Sequence, residues 1–166
     1  MTDVMSPAQR RNNMQMIKSR NSALEIVIRS GLHKRGLRYR LHDRTLPGCP
    51  DLVFRTPRVA VFVHGCFWHP HGCSLSVMPA TRIDFWKAKL EGNTSRDART
   101  VALLQAKQWR VLIIRECAIR RTNEEKLSKV LDCAVTFIRN EDSSLLDISS
   151  NYGIHITKEM RITLNA

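Results

Sequence analysis

Asp51-Leu52-Val53-Phe54 and Val59-Ala60-Val61-Phe62-Val63 decide the fold. Both runs are apolar and rich in β-branched and aromatic residues, and the Thr56-Pro57 step between them cannot continue a strand. The second run is apolar on both faces, which places it at the centre of a sheet covered from two sides. If the two strands pair as a hairpin, Asp51 and His64 fall at one end of the sheet, because one strand begins where its antiparallel neighbour finishes. A carboxylate and an imidazole then share a cleft. Asp suits Mg²⁺, which prefers hard oxygen, and an adjacent imidazole can take a proton from water. Asp51 also follows a Leu46-Pro47-Gly48-Cys49-Pro50 turn, so an ordinary turn role competes with this one.

Outward from the hairpin, the chain reads as helices and further strands. Ser22-Ala23-Leu24-Glu25 has the form of a capping box, and Leu24, Val27, Ile28 and Leu32 follow at helical spacing until Gly36. As its third residue, Glu25 is explained by the cap, though a helix start facing the cleft would also carry its carboxylate toward a metal-bound water. Leu37 to Leu41 alternates like a half-exposed strand. A short helix is expected near Asp84–Glu91, ended by Gly92, and a longer one over 95–108 with Asp97 in its first turn, where an acid suits the helix dipole. Accepting an orienting hydrogen bond from His69 is a second role for it. Val111–Ile114 is another buried strand, Thr122-Asn123-Glu124-Glu125 repeats the capping box before Leu127, Val130, Leu131, Val135 and Ile138, and past Asn140 the signal fades apart from an edge strand near 153–157. The fold class is therefore α/β, a mixed β-sheet flanked by helices. Residues 1–20 form a basic arm, 21–140 the main domain and 141–166 a peripheral tail.

Of 166 residues, 27 are Lys or Arg and 15 Asp or Glu, a net charge of +12. The excess is uneven: 22 bases and 8 acids lie at or before Arg121, against 5 and 7 beyond it. A basic surface of this size fits a nucleic-acid backbone better than a small metabolite. A merely soluble or ribosome-like basic protein is the bland alternative. With no apolar run of 18 residues and no signal-peptide pattern at the start, the expectation is a soluble, intracellular, cytoplasmic protein without membrane association. Five cysteines, an odd number, then point to metal ligation or burial, not a disulfide framework.

His64-Gly65-Cys66-Phe67-Trp68-His69-Pro70-His71-Gly72-Cys73 is the densest segment. Cys66, His71 and Cys73 supply three soft donors, and tetrahedral Zn²⁺ needs a fourth. Cys117 provides it if Val111–Ile114 runs parallel to Val59–Val63, so that both strands end together; Cys49 and Cys133 are rivals, Cys133 sitting in a helical core pattern. His69, separated by Pro70 from His71, is free to act as a base. Phe67, Trp68 and Trp86, near Arg82, Lys87 and Lys89, match rings that DNA-bending proteins wedge between base pairs. A small satellite core on the zinc site explains them equally well, and Trp109 reads as core.

Pro47-Gly48-x-Pro50-Asp51, Val63-His64-Gly65-Cys66-Phe67-Trp68-His69, Pro79-Ala80-Thr81-Arg82 with Phe85-Trp86, and Trp109-Arg110-Val111-Leu112 through Glu116-Cys117-Ala118 resemble the very short patch repair (Vsr) DNA mismatch endonucleases. The resemblance covers roughly residues 8–140. It implies a restriction-endonuclease-like core and an enzyme that nicks one strand beside the thymine of a T:G mismatch left by deamination of 5-methylcytosine. It further implies Mg²⁺ on Asp51 and the main-chain carbonyl of Val63, water activation by His69, and assistance from His64 and Glu25. Structural Zn²⁺ on Cys66, His71, Cys73 and Cys117, intercalation by Phe67, Trp68 and Trp86, and pressure from Met14 in the opposite groove follow from the same likeness. So does a monomer acting on double-stranded DNA alongside mismatch-repair proteins. This chain has Val63 where the familiar member has Thr, which retains the carbonyl but not a hydroxyl. The Glu-x-Lys of many nucleases is replaced by Phe62-Val63-His64. Two other classes stay open: a non-catalytic zinc-containing DNA-binding module, and a restriction-type nuclease cutting matched DNA.

Overall fold

A computed structural model describes Gln9, Asn12, residues 20–120 and 122–150, and the backbone of Ile154–Ile156. The expectations placed on Met14 and most of the arm before residue 20, and on residues past 156, lie outside the described residues. The elements are α1 (Ala23–Lys34), β1 (Arg40–Leu41), β2 (Leu52–Phe54), β3 (Val59–His64), α2 (Ile83–Ala106), β4 (Arg110–Arg115), α3 (Glu116–Ile119), α4 (Glu124–Arg139), β5 (Leu145–Ile148) and β6 (Ile154–Ile156). The strands form one mixed sheet in the order β1-β2-β3-β4-β5-β6. β2 and β3 pair antiparallel, Leu52 opposite Val61, and β3 and β4 pair parallel, His64 opposite Arg115.

Alternation along the central strands divides the core in two. Val59 and Val61 of β3 and Leu112 and Ile114 of β4 face one side, where Ile28 and Leu32 of α1 and Leu131, Ala134 and Ile138 of α4 cover them. Ala60, Phe62, Val111 and Ile113 face the other side and pack on Leu104, Val101 and Trp109. Both faces are thus covered, as parallel neighbours require. α1 and α4 approach closely at Gly31, where a Cβ would run into the Leu131 side chain.

Several sequence expectations change. Gly92 does not end a helix: a Cβ there would meet nothing within 4 Å. Its cost of about 1 kcal/mol against Ala is too small to divide the 24-residue α2, which is held by Leu90, Asn93 and Leu104. Asp97 therefore lies mid-helix, not in a first turn. In α1 the buried stripe runs through Ile28, Gly31 and Leu32, while Val27 is exposed. The cap of α4 is Asn123, one residue later than expected, whose side chain accepts from the Lys126 N–H at 2.9 Å. The strand read over 37–41 shortens to Arg40–Leu41. The short α3 was not anticipated, being a single turn without a periodic signal. The boundary at 140 does not separate core from periphery, because Leu146 and Ile148 of β5 are buried in the sheet beside β4.

Candidate active site

Where β2 begins and β3 ends, a cleft of about 430 Å³ opens between the sheet and α2. Asp51, Val63, His64, His69, Asp97, Arg96 and His42 line it, together with Gly48 and Cys49 of the preceding turn. The hairpin register explains the first three. Asp51 precedes β2, and its Oδ2 accepts the Val63 N–H at 2.7 Å. The N–H and C=O of one strand residue face the same neighbouring strand, so the Val63 carbonyl is turned to the same edge as Asp51. Gly48 holds a left-handed φ of +73° and packs against Thr100 of α2, which seats the turn that delivers Asp51.

Burial pushes the Asp51 carboxyl up to about 6, reinforced by the charge of Glu25 and opposed by the Val63 N–H. A raised folded pKa means that the native state binds the proton more tightly than the unfolded chain. Its contribution to stability therefore falls as pH rises from about 4 to about 6 and is flat above that. By about 1.4 kcal/mol per unit, ionised Asp51 destabilises the metal-free fold by about 3 kcal/mol at neutral pH. Asp51→Asn, in the absence of added divalent ions, should accordingly unfold at a higher temperature than the wild type at pH 8, and the gap should close toward pH 4. A gap independent of pH would remove this assignment.

His69 sits on the loop after β3, and its Nδ1 lies 2.5 Å from Asp97 Oδ2. Burial opposes the Asp97 charge, but the hydrogen bond and charge of His69 outweigh it and hold the carboxyl below its ordinary value. An ionised Asp97 is an acceptor, so His69 Nδ1 donates to it and Nε2 is the ring nitrogen left for other partners. The His64 ring stacks on His69, centroids 3.8 Å apart and planes 10° apart. Burial, with the neighbouring His69, pushes His64 down to about 3, and its Nδ1 is buried without a hydrogen-bond partner among the described residues. Arg115 grips Asp147 of β5 through Nε (2.8 and 3.0 Å) and Nη2 (2.6 Å), and its Nη1 donates to the His69 carbonyl at 3.2 Å. The strand taken for tail thus braces the loop that carries His69.

Glu25 serves the cap foreseen for it, and its carboxylate turns toward Asp51. Ser22 Oγ accepts its N–H at 3.2 Å, while its carboxylate accepts the Asn21 N–H at 2.7 Å and lies buried beside His42 and Asp51. Beyond the cleft, the ligand atoms of Cys66, His71, Cys73 and Cys117 all lie within 4.8 Å of one another, and no cysteine is in a disulfide. His71 Nε2 is 3.3 Å from Cys117 Sγ, and Cys66 Sγ accepts the Cys117 N–H at 3.3 Å. Burial pushes the Cys66 thiol up and, with Arg115, pushes His71 down, so a bound cation would answer the burial of thiolate charge. Two Cys ligand candidates of the sequence drop out of this group: Cys49 lines the cleft, and Cys133 packs against the core.

Phe67, Trp68 and Trp86 form an edge-to-face cluster, with centroids 4.9 to 6.0 Å apart. Phe85, exposed, packs edge-on to Trp86, and Val77, Met78 and Ile83 are exposed on the same stretch of chain. An exposed apolar patch of this kind marks a surface that meets a partner. Asn93 ties the cluster to α2, donating to the Trp68 carbonyl at 2.9 Å. Asn93, Arg96 and Asp97 share one helix face at i, i+3 and i+4, a signal lost when the helix was divided at Gly92. His42 was missed outright, since nothing in its neighbourhood marks a left-handed residue beside a carboxylate.

A covered mixed sheet, a cleft setting a buried carboxylate against a carboxylate-oriented imidazole, and a basic chain are together the equipment of a hydrolytic nuclease. A family profile described as DNA mismatch endonuclease Vsr matches residues 2–75. The chain is 46% identical over 128 residues to DNA mismatch endonuclease Vsr of Escherichia coli K12, spanning 77% of this chain and 81% of that one. It is also 46% identical over 134 residues to the type II nicking enzyme V.XorIIP of Xanthomonas oryzae pv. oryzae, covering 80% of this chain and 98% of the relative. A third relative, the type II nicking enzyme V.NmeAIP of Neisseria meningitidis serogroup A, is 33% identical over 120 residues, 72% of this chain and 86% of its own. The chain belongs to the Vsr DNA mismatch endonuclease family. Among the described residues no helix is long and apolar enough to cross a membrane.

Proposed function

We propose that this protein is a Mg²⁺-dependent, zinc-stabilised endonuclease with a restriction-endonuclease-like core, which nicks one strand beside the thymine of a T:G mismatch and so starts very short patch repair. The observation that carries the reading is the His64–His69 stack, with His69 tied to Asp97, in the same cleft as Asp51. Asp97 holds the His69 ring with Nε2 facing away from it, so that Nε2 can take the proton of the attacking water. His64 stays neutral, packed against the His69 ring, and assists at the phosphate. Asp51 and the Val63 carbonyl are the oxygen donors for Mg²⁺, which when bound would offset the charge that builds on the phosphate. Glu25 orders water on the far side of Asp51. Cys66, His71, Cys73 and Cys117 would hold Zn²⁺ as a structural ion, with no open position and no part in the chemistry.

Specificity, on this reading, comes from the aromatic cluster. Phe67, Trp68 and Trp86 enter the duplex where a T:G step unstacks more easily than a paired one. Trp68→Ala should lower the preference for a T:G duplex over a matched one about tenfold, with a smaller effect on general DNA affinity. Equal losses on both duplexes would leave the rings as a satellite core. The function itself is tested with end-labelled duplexes carrying T:G, T:A or C:G at one site, with and without Mg²⁺. One nicked strand on T:G alone, and only with Mg²⁺, is expected. Cleavage of the matched duplexes would make it a restriction-type nuclease, and binding without cleavage a DNA-binding module.

A further inference from the structure

Glu25, His42 and Asp51 place a carboxylate oxygen, an imidazole nitrogen and a second carboxylate oxygen within 4.8 Å of one another. Donors held at about 2.0 to 2.2 Å from one cation stand about 3 to 4.4 Å apart, so the three are already near the spacing of a common ligand shell. His42 is set there by its backbone. It adopts φ +49°, a left-handed conformation uncommon for a residue with a side chain, and its N–H extends the β1–β2 pairing to the Asp51 carbonyl at 3.2 Å. Among the described residues its Nε2, shut off from solvent, has no hydrogen-bond partner, although Glu25 Oε1 lies 3.2 Å away. The buried Glu25 carboxylate, the partly buried Asp51 carboxylate and this nitrogen converge, with Arg29 Nη1 reaching the same Glu25 Oε1 at 3.4 Å.

We infer that His42 is a metal ligand of the cleft, completing a Glu25–His42–Asp51 site whose nitrogen donor makes it favour Mn²⁺ over Mg²⁺. The inference rests on the reading of Asp51 as a metal ligand; it adds His42 as a ligand, makes Glu25 a direct ligand where the proposed function has it order water, and adds the selectivity. An all-oxygen shell suits Mg²⁺, whereas imidazole strengthens binding of first-row transition ions and offers Mg²⁺ little. A plain structural role, in which a protonated His42 pairs with Glu25, would give no nitrogen at the metal and no selectivity.

The test loads zinc-replete, full-length protein with one equivalent of Mn²⁺ and records electron spin echo modulation from ¹⁴N. Wild type should show the coupling of a directly bound imidazole. His42→Asn, which tolerates a left-handed backbone, should lose it, bind Mn²⁺ at least about tenfold more weakly, and change Mg²⁺ affinity less than about twofold. Coupling that survives in His42→Asn, or equal losses for the two ions, would overturn the inference. If His42→Asn does not fold, His64→Ala and His69→Ala must each retain the coupling, and its disappearance in either would assign the nitrogen elsewhere. Nicking of the T:G duplex by wild type without any ¹⁴N coupling would sink this inference and leave the proposed function standing.

Discussion

Cys117→Ser protein should purify with less than a tenth of the zinc of the wild type and should lose most of its cooperative thermal unfolding. Cys66, Cys73 and Cys117 are buried with His71 beside them, and the group joins the loop after β3 to the start of α3. Serine offers a hard oxygen in place of the soft sulfur that zinc prefers. A zinc ion bound there would then have three donors, and a polar hydroxyl would be left in a buried pocket. Binding free energies of structural zinc run to about 10–16 kcal/mol in small peptides, as large as the whole stability of an ordinary domain, so losing even part of this is decisive. Metal analysis of the purified variant together with circular dichroism on heating checks both halves. A zinc-replete, normally folding Cys117→Ser protein would move the fourth ligand elsewhere.

The central hairpin and the parallel β4 were legible because they carry two-sided apolar runs, and such runs have few places to go other than the middle of a covered sheet. Their register then brought Asp51 to Val63 and His64 without further information. The four-donor cluster followed from the same parallel pairing, since Cys66 and Cys117 lie just beyond two strands that end together. What stayed hidden was set by tertiary contact. Gly92 looks like a helix end because local propensity counts its missing side chain, but not the anchoring of Leu90, Asn93 and Leu104 on either side. The pattern Leu145–Ile148 is too short to stand out from a polar stretch. Only the Arg115–Asp147 pairing and the apolar floor of β4 make it a strand. His42 and its placement depend on a left-handed backbone that no spacing rule announces. The roles implied for Met14 and the basic arm belong to residues outside the described structure.

Asp51→Ala carries the largest expected effect on chemistry. Asp51 is the one cleft carboxylate that joins the β2–β3 hairpin to the end where His64 and His69 stand, and it is largely buried against the Val63 N–H. If it holds the ion that offsets phosphate charge, its loss removes several kcal/mol from the cleavage step, a fall of about a thousandfold or more in rate. DNA affinity should not suffer. The substitution removes a negative charge from the path of a polyanion, and the basic residues that draw the backbone in are untouched. Stability should not suffer through the charge either, since burial already disfavours the ionised carboxyl.

Single-turnover nicking of an end-labelled T:G duplex by Asp51→Ala, at protein concentrations where a gel shift shows the duplex fully bound and with Mg²⁺ present, tests most directly whether this cleft is where the phosphodiester is cut. Full binding with cleavage at least about a thousandfold slower than wild type is the predicted result. Cleavage at the wild-type rate would place the chemistry somewhere other than Asp51, His64 and His69.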